Sequence, residues 1–138
     1  MASGTLQTYE TVYVLKPNVS DADAAVVHQK IDAVIAKFEG KLKLRDELGT
    51  RELAYEIEDN RSGKYTVIVY TGKSGVVEEI ERHFKISGLV IRYLTVAVEA
   101  DYDYGAVKKQ IQTAEEEIQK AREARKRSQE QRMSAGGY

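Results

Sequence analysis

The stretch Lys41-Leu42-Lys43-Leu44-Arg45-Asp46-Glu47-Leu48-Gly49-Thr50-Arg51-Glu52-Leu53-Ala54-Tyr55-Glu56-Ile57 decides the fold. Leu42 and Leu44 alternate with Lys41, Lys43 and Arg45, and Leu53, Tyr55 and Ile57 alternate with Ala54 and Glu56. Alternation of period two marks a strand with one buried face, because successive side chains of an extended chain point to opposite sides. Gly49 stands between the two alternating halves, where a bulge or bend is expected. The segment reads as one long basic β-strand with a charged face and an edge. It holds no catalytic constellation, which points to binding rather than chemistry.

Both flanks repeat one pattern. On the N-terminal side, Tyr9 to Leu15 is a tyrosine- and valine-rich strand closed by Lys16-Pro17-Asn18, a turn signal. Ser20 is the expected helix N-cap, and Asp21 and Asp23 complement the dipole in the first turn. Val27, Ile31, Val34, Ile35 and Phe38 then recur at helical spacing, and Gly40 is the expected left-handed terminator. On the C-terminal side, the cluster Asn60-Arg61-Ser62-Gly63 predicts a turn and Lys64 to Tyr70 a strand. Thr71 to Gly75 breaks that strand, Ser74 is the expected cap of a second helix, and Val77, Ile80 and Phe84 form its apolar stripe. Ser87-Gly88 ends the helix, and Leu89 to Val98 is the last strand.

The order strand, helix, strand, strand, helix, strand predicts an α+β, ferredoxin-like split βαβ fold. Its four-stranded antiparallel sheet has the order 4-1-3-2, with both helices on one face and the other face open. Residues 8–100 are read as this domain, residues 1–7 as a flexible N-terminus and residues 101–138 as a charged helical tail. The tail carries a thin stripe of Val107, Ile111, Ala114, Ile118 and Ala121. Its acidic part (Glu115, Glu116, Glu117) precedes its basic part (Arg122, Arg125, Lys126, Arg127), the order a helix dipole favours.

Composition narrows the function. The chain has 138 residues and 42% hydrophobic content, enough for one small core. With 21 basic against 22 acidic residues and a net charge of −1, it is not a nucleic-acid binder that works by bulk basicity; such contacts must come from local clusters or a partner. It has no cysteine, so disulfides, thiolate metal sites and cysteine nucleophiles are excluded. The first residues show no basic and apolar leader, and no apolar run reaches the length of about 18 residues that a membrane helix needs. A cytoplasmic protein without membrane contact is therefore expected. His28 and His83 fall on different helices without partners spaced for metal or catalysis, and read as helix-face residues. Gly72-Lys73-Ser74 looks like the end of a phosphate-binding loop, but Val67 stands where its first glycine is required. No cofactor, metal or small-molecule substrate is expected.

Several strings together resemble one family, the sixth protein of the bacterial small ribosomal subunit. They are Tyr9-Glu10 at the start of the first strand, Lys16-Pro17 at its end, and Leu48-Gly49-x-Arg51-x-Leu53-Ala54-Tyr55-x-Ile57. Gly63-x-Tyr65 and Arg92 also fit. The similarity runs collinearly over about residues 8 to 98. The resemblance implies a structural ribosomal protein, not an enzyme. It implies pairing with ribosomal protein S-eighteen and joint binding to the central domain of the small-subunit rRNA, on the ribosome. A basic partner would explain how a near-neutral chain reaches RNA. The sequence departs from the family at Thr8 and Glu52, where basic residues are common, and at Glu56, where proline is common.

Candidate RNA- or partner-binding residues are Arg45, Arg51, Tyr55, Lys64, Tyr65 and Arg92, on or beside the predicted strands; guanidinium and ammonium groups position phosphates. Arg122, Arg125, Lys126 and Arg127 are candidate RNA contacts in the tail. The long strand's edge is a further partner site, since its unpaired backbone groups accept another extended segment. The plainer reading makes these residues solvated charges paired with Asp46, Glu47 or Glu52, and the tail a solubilising extension. A ferredoxin-like small-molecule-binding regulatory domain is the alternative, with Gly72 to Gly75 as its only candidate loop. An acylphosphatase-like enzyme would need an Arg and Asn phosphate cradle that the sequence lacks.

Overall fold

The computed structural model describes residues 5–135, without the side chains of residues 54, 55, 109–119, 122 and 133–135. The elements are β1 (Gln7–Leu15), α1 (Asp21–Lys37), β2 (Leu42–Ile57), β3 (Asn60–Gly72), α2 (Val76–Ser87), β4 (Val90–Val98) and α3 (Tyr104–Ala135). Strands β1 to β4 form one antiparallel sheet of order β2-β3-β1-β4. This is the ferredoxin-like topology expected, with β2 and β4 at the edges. Residues Met1–Ala100 and Asp101–Tyr138 are two separate compact units.

Strand periodicity sorts the core. On β1, Tyr9, Thr11, Tyr13 and Leu15 face the helices, and their partners on β3 are Tyr70, Ile68, Thr66 and Lys64. Tyr13, Leu15, Ile68 and Tyr70 join Val27, Ile31, Val34 and Ile35 of α1 and Val76, Ile80 and Phe84 of α2 in one buried cluster. Phe84 is 1% exposed and lies between two tyrosine rings, 4.9 Å from Tyr13 and 5.2 Å from Tyr93. Both helices therefore cover the same sheet face.

Local chemistry explains the element ends, with three differences from the sequence reading. Ser20 caps α1 as expected, accepting from the Asp23 N–H at 3.1 Å. The left-handed residue after α1 is Glu39 (φ 57), not Gly40. The Glu39 N–H reaches the Ala36 carbonyl and the Gly40 N–H the Ile35 carbonyl, the paired bonds of a Schellman end. Gly40 is needed for a different reason: a Cβ there would lie 1.8 Å from the Thr71 carbonyl oxygen.

The second helix is capped by Gly75 in the left-handed region, not by Ser74, while Gly88 (φ 70) ends it as expected. The β2–β3 turn is Glu58-Asp59, both at positive φ, and not the Asn60–Gly63 cluster. Ile57 pairs with Asn60, which leaves a two-residue loop of the kind that matches strand twist. The Asn60 amide holds it by donating to the Ile57 and Glu58 carbonyls.

Three register shifts interrupt the pairing of β2 with β3. One lies between Leu42 and Leu44, one between Glu47 and Gly49, where Gly49 takes φ 81 as a bulge glycine, and one between Glu52 and Ile57, close to the turn. Leu42 pairs with Tyr70 on the helix side, whereas Leu44 pairs with Val69 on the other; the expected single buried face is thus split. Beyond Lys64, β3 has no β1 partner, so residues 51–57 and 60–63 continue as a two-stranded ribbon.

Candidate nucleic-acid and partner interface

The sheet face away from the helices is a set of cross-strand rows, since directly paired residues share a face. One row runs Val96, Glu10, Val69, Leu44, and the next Leu94, Val12, Val67, Asp46. A third runs Arg92, Val14, Tyr65, Gly49, and the pair Gly63 and Arg51 follows. Val14, Val67 and Val69 are buried in the middle of this face, while Leu94 is 62% and Val96 45% exposed on edge strand β4. The face is mostly apolar, carries Glu10 and Asp46 within its rows, and gathers Arg92, Tyr65 and Arg51 at one end. Gly63 is required in that corner, because a Cβ would sit 2.3 Å from Val14 Cγ1.

Of the sequence candidates, Arg51, Tyr65 and Arg92 thus converge on the open face. Arg45 and Lys64 go to the helix face, as partners of Ile68 and Thr50. The Lys64 ammonium donates to the Val19 carbonyl. The Tyr55 side chain and that of Arg122 lie outside the described residues. Leu94 and Val96 were missed as site residues; the signal was the alternation Arg92, Leu94, Val96, Val98 against Tyr93, Thr95, Ala97.

Arg45 belongs to a partly buried polar network beneath β2, whose acids Asp32 and Glu47 reach solvent. Its guanidinium pairs with Asp32 of α1, and its Nε is buried without a partner. Beside it, His28 is 7% exposed rather than a surface residue. His28 Nε2 lies 3.0 Å from Glu47 Oε1, and Nδ1 lies 2.6 Å from the Tyr13 hydroxyl. The Glu47 carboxylate only accepts, so the ring proton sits on Nε2 and Nδ1 accepts from Tyr13. One neutral tautomer satisfies both ring nitrogens. Burial, then the Arg45 cation, hold the His28 pKa below its ordinary value against the pull of Glu47. Burial likewise raises the Tyr13 pKa and pushes that of Tyr70 up to about 12.

Acidification is therefore expected to weaken the fold. The unfolded chain takes up a proton near pH 6.5 that folded His28 resists, so this contribution is complete above about 6.5 and is lost as pH falls below it. Thermal midpoints compared at about pH 7.5 and about pH 5.5 should fall more for the wild type than for His28→Gln. A parallel fall in both proteins would show that the network does not titrate.

The glycine loop offers no ligand cavity. A Cβ on Gly72 would meet Val76 Cγ1 at 2.7 Å, and one on Gly75 would meet the Phe38 ring at 3.0 Å. Among the described residues there is no group of carboxylates and histidines fit to hold a metal. No helix among them is long and apolar enough to cross a membrane.

Comparison with known proteins shows the family. The family described as Ribosomal protein S6 matches residues 8–97. The small ribosomal subunit protein bS6 of Sulfurovum sp. is 40% identical over 66% of this chain and 72% of its own. That of Citrifermentans bemidjiense is 37% identical over 67% and 69%. The crystal structure of 30S ribosomal protein S6 from Thermotoga maritima superposes with a TM-score of 0.63 at 23% identity, covering 80% of this chain and 99% of that one; it supports the shared fold. The relatives are structural ribosomal proteins and not enzymes. The chain belongs to the ribosomal protein S6 family of the small ribosomal subunit.

Proposed function

We propose that this protein binds the central domain of the small-subunit rRNA jointly with ribosomal protein S-eighteen, using the open face of its sheet. The observation that carries the reading is the exposed apolar edge of Leu94 and Val96 continuous with a corner holding Arg92, Tyr65 and Arg51. Apolar surface of this kind is stabilised by a protein partner, and arginines beside it position phosphates. Residues 1–100 hold 13 basic and 15 acidic residues, so the domain is net negative. Its RNA affinity needs a basic partner. Arg45 and Lys64 would act indirectly, holding β2 and the loop after β1 in place. The alternative of a small-molecule regulatory domain finds no support at Gly72 to Gly75, whose space Val76 and Phe38 fill.

A titration of the central-domain rRNA junction, with and without S-eighteen, tests the reading at two salt concentrations. Tight binding is expected only with the partner. Arg51→Ala combined with Arg92→Ala should weaken the joint complex about tenfold, equivalent to about 1.4 kcal/mol, while circular dichroism stays unchanged. Binding that is equal with and without S-eighteen, or absent in both, removes the proposal.

A further inference from the structure

The second unit has a charge pattern that the domain does not share. Six basic residues (Lys120, Arg122, Arg125, Lys126, Arg127 and Arg132) face only two acids, Glu123 and Glu130, in the last part of α3. This segment is net positive in a chain whose total is −1. Helical geometry then separates the charges by side. At about 3.6 residues per turn, the helix positions of Arg122, Arg125, Lys126 and Arg132 fall within roughly a 120° arc that has Gln129 at its centre and contains no acid between residues 120 and 132. Glu123 and Glu130 lie outside that arc, and Arg127 is turned to the acidic side, where it pairs with Glu123 at 3.8 Å. Residues 123–132 are exposed, and this stretch has no apolar stripe to bury. The face is also in line with the positions of Val107, Ile111, Ala114 and Ile118, so one continuous register changes from apolar to cationic after Ile118.

We propose that this face of α3 is an RNA-binding arm that grips the sugar-phosphate backbone of duplex RNA, independently of the sheet. Arg122 to Arg132 spans roughly 15 Å at about 1.5 Å per residue. A DNA duplex presents a phosphate about every 1.7 Å of its axis and the shorter A-form RNA duplex is at least as dense, so each of four cations on one side of a helix has phosphates within reach over that length. Arginine predominates, as suits bidentate capture of phosphate oxygens. Glu123 pairs with Arg127, the cation that points away, and neither Glu123 nor Glu130 lies on the binding side of this segment. The ribosomal reading above supplies only the identity of the polyanion; the arm needs neither S-eighteen nor the open face.

The test uses the full chain and an RNA duplex of about 20 base pairs with a sequence unrelated to rRNA, titrated between roughly 50 and 200 mM salt. Four contacts predict a slope of log K against log salt of about −3 for the wild type. Arg125→Gln with Arg132→Gln should reduce its magnitude by about 1.5 to 2. Lys120→Gln with Arg127→Gln removes the same charge from the other side and should change it by less than about 0.5. Helical content by circular dichroism should be equal in both variants. Equal effects of the two pairs would reduce the arm to an undirected cationic tail, and a wild type that does not bind the duplex would overturn it outright. Because S-eighteen is absent, failure here leaves the joint-binding titration intact, and failure there leaves this one.

Discussion

Replacing Phe84 by alanine is expected to destabilise the protein by about 3–5 kcal/mol, measured by urea unfolding. The ring is 1% exposed and touches Tyr13 on β1 and Tyr93 on β4 at centroid separations of 4.9 and 5.2 Å. Truncation removes its apolar surface from the core and leaves a cavity. Neighbours cannot collapse into it, because both tyrosines are fixed in strands. The tilted ring contacts of Phe84 with the two tyrosines are worth roughly another 1 kcal/mol. β1 and β4 carry Val12, Leu94 and Val96 on their other side, so the open face depends on this ring without touching it. A loss below about 1.5 kcal/mol would mean the site repacks, contrary to the close-packed core described here.

Gly40→Ala should cost nearly as much, about 3 kcal/mol, though only one methyl is added. That methyl would fall 1.8 Å from the Thr71 carbonyl oxygen, 2.6 Å from its carbon and 3.0 Å from Gly72 Cα. All three are backbone atoms, so no side-chain rotation relieves the contact; the end of α1 must move away from β3. Thr71 also binds the entry to β2 twice, its N–H donating to the Lys41 carbonyl and its hydroxyl accepting from the Lys41 N–H. Gly49→Ala is the contrasting substitution. Nothing lies within 4 Å of that Cβ and only φ 81 opposes it, so about 1–2 kcal/mol is expected. The reverse order of the two losses in parallel denaturation curves would mean that backbone conformation, not close approach, governs the glycines.

The fold was legible because period-two strands, two apolar helix stripes and the Gly49-x-Arg51-x-Leu53-Ala54-Tyr55 string all agree. The faces of β2 were not. Arg45 and Arg51 are six residues apart and would share a face in a regular strand. The shift between Glu47 and Gly49 puts Arg51 on the open side and Arg45 beneath the sheet, because one extra residue reverses parity. Turn propensity failed in a similar way. Asn60 and Gly63 are strong turn formers, yet register places the turn at Glu58-Asp59 and uses Asn60 as its clamp. His28 was unreadable for a different reason. Its partners Tyr13 and Glu47 come from two other elements, and no local pattern marks a contact made only in the tertiary structure.

The two-stranded ribbon beyond Lys64 divides the β2–β3 hairpin into two kinetic zones. Two paired strands alone are marginal in water, so amide protons there exchange with solvent through small local openings. Those of Thr66 to Tyr70, paired on both sides and buried, exchange only when the whole domain opens. Insertions at Glu58-Asp59 therefore leave the global free energy of the domain almost untouched. The tip of the hairpin is free to drift in sequence and length while the sheet behind it stays fixed.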